Sequence, residues 1–369
     1  MNTLKYLKAK FSNLSVAKKA LLIFLALIMV GVAGWAGYTF GFKKNNSPLV
    51  VSPAGNIISG NVEEKVNFPN PINGILYKKS EAKAWINNLP LAVIIENSTD
   101  ARPQTGYTKA DIVYEALAEG GITRTLAVFL SEESDVGPVR SNRPYFIDWL
   151  SEYDAGYAHV GGSPEGQARV KAYGIKDLDQ FFVGAPTYHR VGFRAAPHNV
   201  YTSTAELRAA ADSRGYKKGA DIVSWKFNDK EPPVDQRPKS FALSIGFIGA
   251  GGYDVKWVYK PESNTYARFN GGSPFMDALN NTQVEVKTVI LQAVNYSYDP
   301  SGHGRLFMDT TGSGPCKIFL NGTVVDCTWK KDSRTARTKF VDAAGKEVAL
   351  NRGKIWVEIT PPESANTYP

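Results

Sequence analysis

An uncharged, mostly apolar run from Ala20 to Phe42 constrains this chain more than any other feature. As a helix rising 1.5 Å per residue it would be roughly 35 Å long, enough to cross a bilayer core of about 30 Å. The run is longer than the apolar core of a cleaved signal peptide, which usually has about 7–15 residues. No cysteine follows closely enough for lipid attachment. The sequence therefore predicts one uncleaved transmembrane helix over residues 20–42.

The charges beside this run predict its orientation. Residues 1–19 contain five lysines and no acidic residue, and Trp35 and Tyr38 lie near the opposite end of the run. Lysine-rich flanks stay in the cytoplasm, and aromatic side chains favour the membrane interface. We therefore expect a single-pass protein of the cell membrane with a cytoplasmic N-terminus and the bulk of the chain extracytoplasmic.

The net charge of +8 is mostly a consequence of this topology. Five of the 43 Lys and Arg residues belong to the cytoplasmic tail, which leaves 38 against the 35 Asp and Glu residues. Proteins that bind nucleic acid usually concentrate basic residues in their folded domains. The charge balance therefore argues against a nucleic-acid partner.

Composition divides the exterior part into two predicted domains. Residues 43–72 and 226–240 are rich in Pro, Asn, Gly, Ser or charged residues and read as linkers. We predict an α/β domain over residues 73–225, a mostly antiparallel β domain, as a partly open barrel or sandwich, over 241–362, and a short tail over 363–369. The two domains follow from alternating strand and helix signals in the first half and almost only strand signals in the second.

Several local signals define elements of the first half. A buried strand is predicted at 91–95, and two strands at 111–119 and 123–130 form a hairpin around Gly120-Gly121, with an amphipathic helix through Tyr114 and Leu117 as the alternative. Ser141 is the predicted N-cap of a helix through Trp149. Residues 161–164 turn a strand into a helix that ends before Gly174. Ser203 and Glu206 form a capping box.

The two cysteines, Cys316 and Cys327, flank a predicted hairpin. Asn321-Gly322 is the preferred pair for a two-residue type I′ turn, and counting outward from it places the cysteines opposite each other. Such a pair has Cα atoms about 5.5 Å apart, within disulfide range. We predict a disulfide, with two reduced thiols as the alternative.

Arginines and histidines are concentrated in loops of the first half. A strand, a Gly-Gly turn and a helix N-terminus around Gly161 would present backbone N–H groups to an anion, and arginine forks match phosphate or carboxylate. The predicted ligand-binding residues are Arg102, Arg124, Arg140, Arg143, His159, Gly162, Ser163, Arg190, His198 and Asn199. The alternative is structural: Ser163 caps its own helix, and the arginines pair with Asp148, Glu115 or Glu119.

No catalytic motif can be assigned. The G-x-S-x-G, H-E-x-x-H and phosphate-loop lysine patterns do not occur in the sequence. His159, His189 and His198 have no spacing that demands a metal, so we expect no metal and no cofactor. The catalytic residues, if the chain is an enzyme, remain unknown from sequence.

Five segments resemble the YerB-like family of bacterial envelope proteins, and the resemblance extends over about residues 72–362. They are ARPQTGYTKADIVYEALAEGGITRTLAVF, VGPVRSNRPYFIDW, HVGGSP, RAAPHNVY and TWKKDSRTARTKFVDAAGKEVALNRGKIWVEITP. The resemblance implies two adjoining domains of unknown function outside the membrane. Many members are lipoproteins, and this sequence departs from them because its predicted anchor is an uncleaved helix.

These observations lead to two functional hypotheses. The first is a membrane-anchored binding or scaffold protein of the cell envelope that recognises an anionic ligand, such as a wall glycan or phosphate group, or another envelope protein. The second is an envelope hydrolase or phosphotransferase acting on wall polymers. The absence of a recognisable nucleophile and base favours the first.

Overall fold

The computed structural model describes residues 50–51, 57–58, 64–219, 221–247, 251–300 and 302–369. The predicted cytoplasmic tail and transmembrane helix lie outside these residues, as does most of the linker over 43–72. Among the described residues, no helix is long and apolar enough to cross a membrane. The chain divides into two compact units, Met1–Glu64 and Lys65–Pro369. In the first, Val50–Val51 (β1) and Ile57–Ile58 (β2) pair antiparallel.

Strands dominate the second unit, and its α-helices are few and short. The strands of the first half are β3 (Val66–Pro69), β4 (Leu76–Lys78), β5 (Leu91–Glu96), β6 (Ile112–Leu117), β7 (Thr123–Phe129), β8 (Asp135–Val136), β9 (Gly156–His159), β10 (Lys176–Asp179), β11 (His189–Arg190) and β12 (Val200–Ser203). The helices are α1 (Lys79–Ala82), α2 (Pro144–Leu150), α3 (Pro164–Ala172), α4 (Gln180–Val183) and α5 (Thr204–Ser213). Short 3-10 helices cover Thr99–Ala101, Tyr107–Lys109, Glu119–Gly121, Ser151–Tyr153, Val234–Gln236 and Gly251–Tyr253.

The second half adds fifteen strands within the described residues. They are β13 (Ala242–Gly246), β14 (Val255–Lys260), β15 (Thr265–Asn270), β16 (Ser273–Pro274), β17 (Met276–Asp277), β18 (Thr282–Gln283), β19 (Glu285–Val286), β20 (Thr288–Ala293), β21 (Tyr296–Tyr298), β22 (Leu306–Met308), β23 (Gly312–Leu320), β24 (Thr323–Lys331), β25 (Lys339–Val341), β26 (Ile355–Thr360) and β27 (Ala365–Thr367). Residues 363–369, predicted as a tail, therefore contain a strand, which pairs with β13.

The first half is less helical than an α/β domain, so that part of the prediction needs correction. β5 is buried throughout, as predicted, and β6 and β7 form the predicted antiparallel hairpin rather than the alternative helix. Of the five helices in this half, two have only four residues. Glycines, prolines and local turns interrupt the chain too often for longer helices to propagate. The fold is mostly β.

One ten-stranded sheet contains strands from both halves of the sequence. Its order is β10-β9-β5-β7-β6-β26-β20-β23-β24-β25. β26, near the C-terminus, lies parallel between β6 of the first half and β20 of the second. The predicted second domain is therefore not a separate barrel or sandwich, because five of its strands complete the sheet of the first half.

Each face of the sheet packs against a different layer. On one face Tyr114 stacks on Trp149 of α2, with ring centroids 5.7 Å apart. On the other face Trp356 contacts Trp257 of the six-stranded sheet, at 5.5 Å between centroids. That smaller sheet has the order β16-β15-β14-β13-β27, with β19 beside β15. Burial of large aromatic side chains stabilises both interfaces.

The hairpin of β23 and β24 has the strand register that was predicted by counting outward from the Asn321-Gly322 turn. Asn321 and Gly322 have φ of 54° and 70°, as a type I′ turn requires. Cys316 lies opposite Cys327. Their Cα atoms are 4.9 Å apart and a disulfide joins them.

Candidate functional site

A single extended segment, residues 137–143, organises most of the predicted site residues. Its backbone bridges two strands, because Arg140 N–H donates to the Ile94 carbonyl at 2.9 Å and Val160 N–H donates to the Arg140 carbonyl at 3.0 Å. Arg140 and Arg143 then take part in two different sets of contacts. The ten predicted residues fall into two groups, five in each, instead of forming one pocket.

The first group we name the Asn142 cluster: Arg124, Arg143, His159, Gly162 and Ser163, which lie around Asn142. Arg143 is the N-cap of α2, two residues after the predicted cap Ser141. Pro144 explains the shift, because proline is favoured at the first helical position and restricts the residue before it to extended backbone. Ser163 caps α3, as predicted in the structural alternative: Gly166 N–H donates to its hydroxyl at 3.1 Å.

An ion pair neutralises Arg143. Its Nε and one terminal nitrogen donate to the two carboxylate oxygens of Glu119, each at 2.5 Å. Burial alone would raise the pKa of Glu119, but the hydrogen bond and positive charge of Arg143 together hold that pKa below its ordinary value. The bidentate geometry is the one expected of a strong arginine–carboxylate pair. Arg143 therefore has a structural partner, as the alternative interpretation required.

The other polar members of the cluster also bond inside the fold. Arg124 donates to the Ser141 carbonyl at 2.9 Å, and burial, followed by the charge of Arg143, lowers the pKa of Arg124 to about 10. His159 is fully buried, with Nδ1 2.8 Å from the Gly161 carbonyl and Nε2 3.1 Å from an Asp177 oxygen. These contacts orient the side chains and leave them little freedom to meet a ligand.

Gly162 belongs to the cluster for a steric reason. A Cβ at this position would lie 2.9 Å from the Asn142 Cβ and 3.1 Å from its carbonyl oxygen. The close approach lets Ser163 N–H donate to the Asn142 carbonyl at 3.3 Å. On the solvent side, Arg143 and Ser163 border a cavity of about 470 Å³ that His303 and Arg305 also line.

The second group we name the loop surface: Arg102, Arg140, Arg190, His198 and Asn199, with Arg194 added by the structure. It forms where the loop between β11 and β12 packs on the turn after β5. His198 Nδ1 and Arg140 Nε lie 3.0 and 3.4 Å from the same Glu96 oxygen. Glu96 is buried, whereas the side chains of Arg140 and His198 are 26% and 21% exposed. One carboxylate thus faces two basic side chains.

Three other arginines of the loop surface meet only neutral oxygens. Arg190 donates to the Asn199 side-chain carbonyl at 2.6 Å. Arg102 donates to the Asn97 side chain at 3.2 Å and to the Gly252 carbonyl at 2.8 Å. Arg194 donates to the carbonyls of Asp100 and Pro103, at 2.8 and 2.5 Å. Within the described ranges, no carboxylate lies within 4.0 Å of these three guanidinium groups.

Arg102 is partly buried. Burial, followed by the charge of Arg268, lowers its pKa from the ordinary arginine value. Its guanidinium lies 5.0 Å from the ring centroid of Tyr253. Arg190, in contrast, is exposed to solvent. On the loop surface, Arg102 is therefore held against the fold, whereas Arg190 is accessible to a ligand.

Sequence reasoning missed Arg194, Glu96 and Phe193. Arg194 follows Arg190 by four residues in the same loop, so the density of basic residues there was an available signal. Glu96 was visible as the end of a buried strand, but its role as shared partner depends on contacts with residues 44 and 102 positions later in the chain. Phe193 is 75% exposed at the loop tip.

A third polar group lies in the core and connects the two sheets. Arg268 donates to Glu115 at 2.5 Å, and Trp257 donates to Glu358 at 2.8 Å, all four being buried. Burial, then the charge of Glu115, raises the pKa of Glu358 well above its ordinary value. In the part of the chain that the structure describes, no group of three or more His, Cys, Asp or Glu residues is arranged to hold a metal ion.

The structure is that of a mostly β protein in which the two halves of the sequence share one sheet. Comparison with known proteins shows the family to which it belongs. The family described as "Protein of unknown function (DUF3048) N-terminal domain" matches residues 77–217, and the corresponding C-terminal domain matches 243–357. The chain belongs to this DUF3048 family, which confirms the YerB-like resemblance.

Two findings from Bacillus subtilis support the assignment. "Putative lipoprotein YerB" of strain 168 is 30% identical over 294 residues, which are 79% of this chain and 86% of the relative. The crystal structure of YerB protein from the same species is similar with a TM-score of 0.72 and 28% identity. That match covers 81% of this chain and 99% of the solved one.

Proposed function

We propose that this protein is an extracytoplasmic component of the bacterial envelope, anchored by residues 20–42, whose loop surface binds an anionic group of an envelope ligand. The name of the Bacillus subtilis relative, "Putative lipoprotein YerB", supports an envelope location. The apolar run and the lysine asymmetry of the sequence support the anchor and its orientation.

One observation carries the proposed binding activity. Arg102, Arg190 and Arg194 donate only to neutral oxygens among the described residues, so their positive charges are not cancelled by the fold. Guanidinium groups in this state match phosphate or carboxylate oxygens, and charge-assisted bonds are stronger than neutral ones. A phosphate or carboxylate of a wall glycan is the ligand class that fits this chemistry.

Binding to a defined anionic polymer tests the proposal. Fluorescently labelled poly(glycerol phosphate) and uncharged dextran of similar length are titrated into the full-length chain in detergent. We expect the phosphate polymer to bind and dextran not to bind. Replacing Arg190 and Arg194 together with alanine should weaken binding at least about tenfold, in line with the loss of one or two charge-assisted bonds.

A matched control separates a site from general electrostatics. Lys346 is an exposed cation in the turn after β25, at the edge of the ten-stranded sheet opposite β10. Lys346→Ala should leave binding unchanged. Equal losses in Lys346→Ala and in the double arginine variant would show that only net charge matters and would refute the loop surface as a site.

A further inference from the structure

One large cavity lies away from both groups of predicted site residues. It has a volume of about 830 Å³ and lies between helices α2 and α3 and the start of β23. A second cavity, of about 330 Å³, adjoins it, since Tyr173 and Arg334 line both. Together they form a groove with Arg334 at its junction, which we name the Arg334 groove.

Pro315 explains why the groove opens. β23 pairs with β20 from Cys316 to Phe319 only, although it continues to pair with β24 as far as Gly312. Pro315 lies at the position that would next bond to β20, and proline has no N–H to donate. The two strands separate there, and the cavity occupies the space between them.

The separation leaves a free strand edge along the cavity. Leu320 and Thr323 flank the two-residue turn and are a hydrogen-bonded pair, so hydrogen-bonded pairs alternate outward from them. By this count Gly314 bonds to β24, whereas the N–H and carbonyl of Ser313 point away from β24. Ser313 lines the cavity, and because the pairing of β20 with β23 stops at Cys316, its outward N–H and carbonyl have no strand partner among the described residues.

The sequence also keeps this edge accessible. A Cβ on Gly314 would lie 2.6 Å from Nε1 of Trp329, so the glycine lets the indole lie directly beside the backbone. Trp329 Nε1 donates to the Ala293 carbonyl at 2.7 Å, which fixes the ring across the gap between the diverging strands. The result is a firm apolar floor beside an unpaired backbone edge.

Arg334 supplies a charge at the junction of the two cavities. It donates to the Ser151 hydroxyl at 2.6 Å, and its guanidinium lies 4.4 Å from the ring centroid of Tyr173. Among the described residues, no carboxylate lies within ion-pair distance of it. Asp148, which also lines the cavity, already accepts a hydrogen bond from Thr310 and lies 3.6 Å from Arg169. Arg334 is therefore held in place without a direct ion pair among the described residues, and only the longer-range charge of Asp148 reaches it.

We propose that the Arg334 groove binds a short extended peptide that carries a carboxylate. The peptide would add to the free edge at Ser313 by main-chain hydrogen bonds, in the manner of strand addition, and place its carboxylate on Arg334. A glycan could use the charge but not the strand edge, because the edge requires a backbone N–H and carbonyl at the strand repeat. This site is separate from the loop surface and does not depend on it.

The probe is acetylated penta-alanine with a free C-terminal carboxylate, compared with the C-terminal amide and with a backbone N-methylated version. Competition against a fluorescent form of the acid is measured with the full-length chain in detergent. We expect the acid to bind at least about fivefold more tightly than the amide and N-methylation to abolish binding. Arg334→Ala should remove the preference for the acid, whereas Lys330→Ala, an exposed cation on β24, should keep it.

Ser313 provides the test of the strand edge. Ser313→Pro removes the outward N–H together with the hydroxyl and should abolish peptide binding, whereas Ser313→Ala removes the hydroxyl but keeps the N–H and should bind like the wild type. If Ser313→Pro does not fold, as judged by thermal unfolding, the N-methylated peptide still tests the edge. Equal binding of acid and amide, unchanged binding in Arg334→Ala, binding of chitotriose in place of the peptide, or no peptide binding up to about 10 mM would overturn the proposal.

Discussion

The Asn142 cluster and the loop surface contain the same kinds of side chain and flank the same extended segment, but Arg143 of the cluster and Arg190 and Arg194 of the loop surface use their charges differently. In the cluster, Arg143 is bound by both oxygens of Glu119 and His159 is enclosed between a carbonyl and a carboxylate. On the loop surface, Arg190 and Arg194 donate to an amide and to backbone carbonyls. Neutral acceptors orient a guanidinium without cancelling its charge.

The difference shows what distinguishes an architectural arginine from a candidate binding arginine. An arginine with a close carboxylate contributes to stability, and its removal leaves that carboxylate uncompensated. An exposed arginine held by neutral oxygens is positioned but still able to attract an anion. The comparison can therefore be tested by asking which variants lose stability and which lose binding.

The largest expected effect is on stability, in Arg143→Ala. This variant should lower the free energy of unfolding by about 2 kcal/mol, on the low side for a buried pair because Glu119 retains some exposure. Arg190→Ala should change it by less than about 0.5 kcal/mol, because surface substitutions rarely do more. The free energy of unfolding of both variants is measured by urea unfolding, monitored by circular dichroism. Equal destabilisation would mean that the two regions do not differ as described.

The elements around these regions were partly predictable. Local signals were enough for the β6–β7 hairpin, the Ser163 cap and the register of β23 and β24, because a turn or cap is decided by a few adjacent residues. The insertion of β26 between β6 and β20 was not predictable. It depends on pairing between segments more than 200 residues apart, for which local patterns contain no information.

The candidate site illustrates the same limit. The sequence predicted that Arg140 and Arg143 lie in one loop, but the two residues have different carboxylate partners, Glu96 and Glu119. Glu119 was among the predicted partners, whereas Glu96 was not. Only the three-dimensional arrangement decides which carboxylate reaches which arginine.

A smaller effect is expected in the pH dependence of stability. Because the pKa of Glu119 is lowered in the folded state, its contribution is present above the ordinary value of 4.5 and is lost as pH falls through the folded-state pKa. Glu119→Gln should therefore be less stable than the wild type by about 1 kcal/mol at pH 7, the size of a partly exposed charge-assisted bond. The gap should shrink below pH 4.5.

Measuring the difference between the two proteins isolates Glu119 from other acids. Burial, outweighing their hydrogen bonds, raises the pKa values of Asp111 and Asp148, and both residues remain in wild type and variant alike. Thermal unfolding between pH 3 and pH 7 gives the gap directly. A gap that stays constant over this range would show that the Arg143 pair does not depend on the Glu119 charge.

The smallest expected effect concerns Phe193, in the loop between β11 and β12 that supplies Arg194, His198 and Asn199 to the loop surface. Its ring is 75% exposed, and it meets Tyr201 edge-on at 6.0 Å and the Arg194 guanidinium at 5.7 Å. Because little apolar area is buried, Phe193→Ser should change the free energy of unfolding by less than about 0.5 kcal/mol. The loop retains Arg194 and its bonds to the Asp100 and Pro103 carbonyls, so binding of poly(glycerol phosphate) should fall less than in the double arginine variant. Stability is measured by urea unfolding, and affinity by the same titration in detergent. A loss of stability comparable to that of Arg143→Ala would instead show that the loop tip contributes to the stability of the fold. That result would contradict the proposed difference between the Asn142 cluster and the loop surface.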